Sequence, residues 1–355
     1  NQGATCYLNC VLQMLYHLPY FRLCVFKYKT ENISNEKSRS IFFQLQILFT
    51  LMQKGQDSHI PTRPLTKAFG WKDNYTKKQQ DAQSFFLWLL SDILLPVLPK
   101  VISELFEGKI RTIIYDDKLK IIKEVDEIFY DLSMSVKDCQ SLEESFSKYT
   151  ESEYLIGDNQ YISSPSRGSL NATIQNTFVK MPKVLFLHLK RTEYNLKNRK
   201  INSHFSFPSV LDISPYLNTI NEHQGSTLYE LINVIVHYGS CATSGHYYSY
   251  IKTSKDGDWY KFNDSFVLKT TEESAISNNF GGETSDPYNN GINTNKAYSA
   301  YMLTYVQTSQ INYIFRDVTV DSIPKELYEY KPKNPGSTKQ TFLIFNDESF
   351  KLAAA

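Results

Sequence analysis

Asn1-Gln2-Gly3-Ala4-Thr5-Cys6-Tyr7-Leu8-Asn9-Cys10 opens the chain, and the reading of this stretch decides the fold. Asn1, Gly3 and Thr5 are loop residues. Directly after them Leu8, Val11, Leu12 and Leu15 recur at the i, i+3, i+4, i+7 spacing of one helix face. Cys6 therefore stands where a loop becomes a helix, and Thr5 or Asn1 is placed to cap it. A thiol there meets unpaired N–H groups and the positive end of the helix dipole, and both favour the nucleophilic thiolate. The same N–H groups can receive an oxyanion, with the Asn1 amide as a further donor. Outside such a setting a cysteine before a helix is a small buried hydrophobe, and Cys10, one turn on, reads that way.

A thiol nucleophile needs a base, and an imidazole titrates near neutral pH. His246 opens the strand-like stretch His246-Tyr-Tyr-Ser-Tyr-Ile251, directly after a Gly/Ser-rich loop from Gly239 to Gly245. That places the ring at the end of a strand, away from the core. Asp256-Gly257 then turns the chain into Trp259-Tyr-Lys-Phe-Asn263-Asp264. Asn263 or Asp264 can supply the acceptor that holds the second imidazole nitrogen. Strand alternation sends the two to opposite faces, so one of them faces His246. Cys, His and Asn in that order match the papain-type variant of the catalytic triad.

The rest of the chain bounds this reading. Its 355 residues suffice for one large domain or two to three smaller ones, and 41% hydrophobic residues can build a core. With 38 basic and 37 acidic residues the net charge is +1, which carries no nucleic-acid footprint. No run of 18 apolar residues occurs, so no transmembrane helix is expected. The chain opens inside a motif without an initiator Met, which implies a segment upstream. Five cysteines at irregular spacing suit a reducing compartment, and no C-x-x-C pair offers a zinc site.

Residues 6 to about 108 read as mostly helical. An apolar helical run spans Ile41–Met52, a short helix ends at Gly70, and Asp81 caps a helix running to about Leu95, where Pro96 stops it. From 109 to 207 strands enter, among them Lys109–Tyr115, Glu127–Val136 and Lys183–Lys190, with His188 structural. Strands dominate again from 208 to 306, including Leu231–Tyr238 and Ala300–Val306. A helical stretch is expected from 310 to Glu329. Pro332, Pro335 and a strand-like run at 341–345 follow.

Asn1–Cys10 resembles the Cys box of ubiquitin-specific proteases, and the stretches around His246 and Asn263-Asp264 resemble their His box. Gln80-Asp81-Ala-Gln83, Leu65–Trp71, Leu105–Gly108, Leu185–Arg191 and Phe205–Pro208 also fit. The resemblance covers Asn1 to about Leu327, and the Phe69-Gly70-Trp71 block with the lack of zinc cysteines is most similar to the herpesvirus-associated subgroup. It implies an α+β, papain-like right hand. The catalytic domain would be 1–327, with a thumb at 1–108, fingers within 109–205 and a palm mainly at 206–306. Residues 328–355 would be a linker or tail, or the start of another module.

The implied activity is hydrolysis of the isopeptide or peptide bond after the C-terminal glycine of ubiquitin, through a thioester. Cys6 would be nucleophile, His246 base, Asn263 the third triad member, Asp264 an assisting acid and Asn1 the oxyanion donor. Trp71, Asp81, Gln83, Tyr194 and Tyr247 would lie along the path of the ubiquitin tail, Asp81 answering its basic charge. No metal or cofactor is implied. The implied partners are ubiquitin and ubiquitinated proteins, for a monomeric domain in cytoplasm or nucleus. Asn263 stands where the nearest relatives carry Asp, Ser84 where they carry an acid and Thr192 where they carry an aromatic residue. Two alternatives are a catalytically silent ubiquitin-binding module and a protease for another ubiquitin-like modifier.

Overall fold

Helix α1 (Cys6–Tyr16) is buried on every side, and all 11 of its residues are core. This includes Asn9 and Gln13, so the helix is not an amphipathic surface element but the axle between two halves of the molecule. The computed structural model describes residues 1–56, 60–72, 74–164, 168–192, 200–217, 226–241, 244–285 and 293–330.

On one side of α1 stand helices α2 (Pro19–Lys27), α3 (Glu36–Lys54), α4 (Arg63–Ala68) and α5 (Ala82–Trp88). Asn35 caps α3 by accepting from Ser38 N at 2.9 Å, and Gly55, at φ +58°, ends it. Gly70, at φ +82°, closes α4. Asp81 caps α5 through Ser84 N at 2.8 Å, as the sequence predicts. The helical run ends at Val97, one residue past the expected stop at Pro96. The backbone continues from α5 as a π turn over Leu89–Leu94 into a helical turn, α6 (Leu95–Val97), and breaks only before α7 (Pro99–Phe106). The wider turn accommodates a proline that can neither donate nor fit a tight i−4 contact.

Two sheets follow. Strands β1 (Gly108–Asp116), β2 (Ile121–Phe129), β3 (Leu132–Ser135), helix α8 (Leu142–Thr150), β4 (Glu153–Leu155), β5 (Tyr161–Ser164), β6 (Gly168–Leu170), β7 (Ala172–Lys180) and β8 (Val184–Lys190) occupy the middle of the chain. Then come β9 (Val210–Asp212), β10 (Leu228–Cys241), β11 (Ser244–Lys252), β12 (Trp259–Asn263), β13 (Phe266–Thr270), β14 (Glu283–Ser285), β15 (Asn293–Asn295) and β16 (Tyr298–Gln307). The smaller sheet has the order β2-β1-β7-β4, while β5 pairs with β6 and β14 with β15 as separate two-stranded ribbons. The larger runs β13-β12-β11-β10-β16-β8-β3, with β9 also on β10. Its one parallel pair is β3 with β8. Thus β3 and β8 join the large sheet rather than the finger-like one, because β8 is apolar on both faces and buried nearly throughout.

The helical half and the large sheet meet over aromatic pairs, with Phe86 and Phe106 on Phe186 at 4.6 and 5.1 Å. All three rings are essentially fully buried, which is worth roughly 1.5–3 kcal/mol each. Beyond β16 no long helix forms, contrary to the sequence expectation. Short turns at Ile311–Ile314 and Lys325–Tyr328 wrap back instead, burying Ile314, Val318, Ile323 and Leu327. Pro324 and the β-branched run Val318–Val320 disfavour a continuous helix there. The expected tail and the strand-like run at 341–345 lie outside the described residues. No described helix is long and apolar enough to cross a membrane.

Candidate active site

Cys6 occupies the first position of α1 and is 2% exposed. Neither Thr5 nor Asn1 caps the helix with its side chain. Asn1 Oδ1 instead accepts from Thr5 N at 2.9 Å and Gly3 N at 3.1 Å, and Thr5 Oγ1 accepts from Gln2 N at 2.9 Å. Gly3, at φ +120°, allows this tight loop to fold over itself. The consequence favours chemistry: the first backbone N–H groups of α1 are not taken by a side-chain cap. The backbone N–H of Tyr247 points at Cys6 Sγ, 3.4 Å away. A sulfur that accepts from an amide is better prepared to carry negative charge.

His246 stands near the start of β11, opposite Tyr238 on β10. Gly245 precedes it at φ +150°, and a Cβ there would collide with the Tyr238 carbonyl and lie 2.7 Å from His237 Nε2. Gln79 Oε1 accepts from Gly245 N at 2.7 Å, tying the loop before α5 to the loop before His246. His246 Nε2 bonds Asn263 Oδ1 at 2.6 Å, leaving the other ring nitrogen for the thiol. The hydrogen bond with Cys6 is the largest cause of a raised His246 pKa. Burial opposes it, and the Asn263 bond and the Cys6 and Asp264 charges add to it, for a value of about 9. Cys6 and His246 thus form a pair in which the imidazole holds its proton strongly while the sulfur is present.

Of the two candidates, Asn263 alone hydrogen-bonds the imidazole, as alternation allows, but Asp264 does not turn to the opposite face. The strand ends there, and Asp264 adopts φ +50°, which brings its carboxylate back beside the site. Asp264 Oδ2 lies 3.9 Å from His246 Nε2, too far for a hydrogen bond. Its actual partners are Asn1 Nδ2 on Oδ2 and Asn9 Nδ2 on Oδ1, each at 2.9 Å. Asn263 therefore orients the imidazole, and Asp264 orients the Asn1 amide while adding negative charge near His246. Sequence reasoning missed Asn9 and Gln79. A buried polar residue one turn after Cys6, on the helix face of a nucleophile, was the available signal for Asn9.

The described residues expected along the tail path sit after α4 (Trp71), at the start of α5 (Asp81 and Gln83) and on β11 (Tyr247). Asp81 accepts from Ser84 N on Oδ1 and from the Tyr301 hydroxyl on Oδ2. It is therefore held between α5 and β16 with partial exposure. Trp71 is half-buried in an aromatic cluster with Phe69 at 4.9 Å and Tyr75 at 4.8 Å. Gln83 faces Asp131, donating at 2.8 Å, and burial raises the Asp131 pKa against that bond. The ring of Tyr247 is 1% exposed and packs on His237 at 4.7 Å and Tyr301 at 5.5 Å. The backbone N–H of Tyr247 is the part that reaches Cys6. Tyr194 lies outside the described residues. Among the described residues no three His, Cys, Asp or Glu side chains come together to hold a metal ion.

A nucleophilic thiol, a protonatable imidazole, an acceptor behind it and amide donors beside the sulfur can together break and form acyl bonds. The family model described as "Ubiquitin carboxyl-terminal hydrolase" matches residues 1–305. Ubiquitin C-terminal hydrolase 12 of Arabidopsis thaliana is 36% identical over 92% of the chain, and ubiquitin carboxyl-terminal hydrolase 7 of Drosophila melanogaster 34% over 93%. The chain spans only 31% and 29% of the lengths of those two relatives. A solved structure of the SAGA DUB module Ubp8/Sgf11/Sus1/Sgf73 bound to monoubiquitin superposes with a TM-score of 0.68 at 25% identity. That match covers 86% of this chain and 67% of the other.

Proposed function

The chain belongs to the ubiquitin carboxyl-terminal hydrolase family, and from that premise we propose that it is a deubiquitinating cysteine protease acting through Cys6, His246 and Asn263. The observation that carries the reading is that Cys6 Sγ sits 3.4 Å from the backbone N–H of Tyr247, next to a His246 whose ring is held by Asn263 at 2.6 Å. The substrate bond is the amide after the terminal glycine of ubiquitin, in isopeptide or peptide linkage.

The steps follow from the geometry. The Cys6 thiolate adds to the glycine carbonyl while His246 holds the proton. The oxyanion collects the free N–H groups at the start of α1 and the second Nδ2 hydrogen of Asn1, whose first is committed to Asp264. Collapse expels the amine, which takes the proton from His246, and leaves a thioester on Cys6. Acylation also removes the sulfur charge and the Cys6 hydrogen bond, the leading cause of the raised His246 pKa. The imidazole then becomes a base able to deprotonate water for thioester hydrolysis. Asn263 keeps the ring in one orientation through both halves.

Asp81, with its carboxylate anchored by Tyr301, supplies a negative charge for a basic tail residue, and Trp71, in its aromatic cluster, an aromatic face for the tail. The Phe69-Gly70-Trp71 block supports a place near the herpesvirus-associated subgroup. The test is reaction with ubiquitin carrying a C-terminal electrophile, read by intact mass. One adduct is expected, lost in Cys6→Ala and retained in Cys10→Ala. Absence of any adduct on a folded, ubiquitin-binding chain would overturn the reading.

A further inference from the structure

At the opposite end of α1 from Cys6 the chain closes around a polar cavity of about 380 Å³. Its walls come from Tyr16 at the end of α1, Arg22 on α2, Lys255 and Asp256 in the turn between β11 and β12, and Arg316 and Asp317 after β16. Arg22 is only 9% exposed. Its Nη1 donates to the Tyr16 carbonyl at 2.7 Å, and its guanidinium lies 4.4 Å over the Tyr16 ring. Its Nε is buried and has no partner among the described residues. A guanidinium withdrawn from water is costly unless its N–H groups find acceptors.

The surroundings extend the positive side. Arg316 stacks on Tyr20 and Tyr313 at 4.4 and 4.3 Å and donates from Nε to the Tyr313 carbonyl at 3.0 Å, which fixes its plane. Lys255 donates to Asn312 at 3.0 Å and lies 3.6 Å from Asp256. Helix α2 begins at the same wall with Pro19, and no side chain caps its N-terminus, so its first N–H groups add a partial positive charge. His17, also on the wall, is held neutral because burial lowers its pKa to about 3. The wall therefore carries three cations and two carboxylates, Asp256 and Asp317. That balance suits one oxyanion head on a ligand whose remainder is neutral or cationic.

We propose that this cavity is a binding site for a small ligand with a carboxylate or phosphoryl head, seated on Arg22 and flanked by Arg316 and Lys255. The site joins the same two walls as the Cys6–His246 pair. Helix α1 carries Cys6 at one end and Tyr16 at the other, about 15 Å apart at 1.5 Å per residue. The β11–β12 hairpin carries His246 and Asn263 at its open end and the cavity wall at its turn. A ligand held by both walls sets how α1 lies on the hairpin, and on the function proposed above it thereby tunes the Cys6–His246 contact.

Calorimetric titration of the chain with butyrate and with phosphocholine, at matched ionic strength, reads the site without relying on activity. Turnover of a ubiquitin C-terminal amide in the same buffers reads the coupling. Expected is one-to-one binding of at least one probe with a Kd of about 1 mM or tighter, and a change in turnover that saturates along the same curve. Binding of one probe alone names the head group. The double variant Lys255→Gln/Arg316→Gln keeps its turnover without probe and binds about tenfold more weakly or worse, having lost two charge-assisted partners. Arg22→Lys keeps the charge, loses the fork and binds more weakly too. No saturable binding, or binding undiminished in the double variant, overturns the site. Binding without a change in turnover overturns the coupling. An inactive chain that still binds its probe contradicts the proposed activity and not the site.

Discussion

Exchange of Asp264 for Asn isolates the oxyanion side of the site from the imidazole side. The carboxylate accepts from Asn1 Nδ2 and Asn9 Nδ2 at 2.9 Å each, while His246 lies 3.9 Å away. Asn has the same shape but only one acceptor oxygen. In Asp264→Asn one of the two amides must face another NH2 group, and the bond that survives loses its charge assistance. A hydrogen bond to a charged group contributes about 1.5–3 kcal/mol. Attraction to a protonated His246 would be about 4 kcal/mol at 4 Å and an effective dielectric of 20. The His246 and Asp264 side chains are 33% and 23% exposed, however, and that screening reduces the term to about 1 kcal/mol. Together these give about 2.5–4 kcal/mol, part of it felt only when the oxyanion forms. The expected outcome is a fall in kcat of about two orders of magnitude, with KM nearly unchanged. Unfolding free energy drops by about 1–3 kcal/mol from the weakened Asn9 bond. Steady-state and single-turnover assays on a ubiquitin C-terminal amide, with urea unfolding in parallel, measure both. A kcat within about threefold of wild type, or a loss confined to KM, would refute the positioning role of Asp264.

Cys6→Ala removes the leading cause of the raised His246 pKa, so the ring should titrate well below the wild-type value of about 9, read by NMR; an unchanged titration contradicts the pair. A folded pKa above the ordinary value of about 6.5 makes the proton stabilising below about 6.5, and that contribution is lost as pH rises through about 9. Wild type should therefore lose stability relative to Cys6→Ala across that window. Gly245→Ala must move the backbone at φ +150° away from the Tyr238 carbonyl and from Gln79. A displacement of about 1 Å at His246 should cost about 100-fold in kcat/KM, and full activity would contradict the close approach. Arg191 is 1% exposed and donates to the carbonyls of Ala300, Ile201, Ser203 and Phe280. Burial lowers its pKa to about 9. Lys cannot reach four carbonyls, so Arg191→Lys should lose about 3–5 kcal/mol in urea unfolding, and a loss under about 1 kcal/mol would refute that assignment.

Local signals in the chain were read well where the physics is local. The thiol at a helix start, the Asp81 cap and the strand before Asn263 depend on spacing, side-chain length and backbone freedom within a few residues. The strand register that puts Asn263 behind His246 is set by a short hairpin, so it too was within reach. Where a neighbour lay far along the chain, the same reasoning failed. Asp264 was assigned a direction by alternation, but the strand ends at Asn263 and a positive φ turns the carboxylate back toward Asn1 and Asn9. The helical run does end one residue past Pro96, but the π turn over Leu89–Leu94 before it has no signal in the spacing.

The sequence by itself placed a thiol at a helix start and a histidine at the start of a strand, and its motifs resembled those of the family to which the chain belongs, because motif spacing is a property of neighbouring residues. Tertiary structure alone decided which acid serves which amide, that Asp81 rests on Tyr301, that Arg191 is sheathed in carbonyls and that Arg22 faces a cavity between two walls. Periodicity states which face of an element is buried, but not what buries it. That choice is made when segments more than 200 residues apart, such as Asn1 and Asp264, come into contact and must satisfy one another's polar groups away from water.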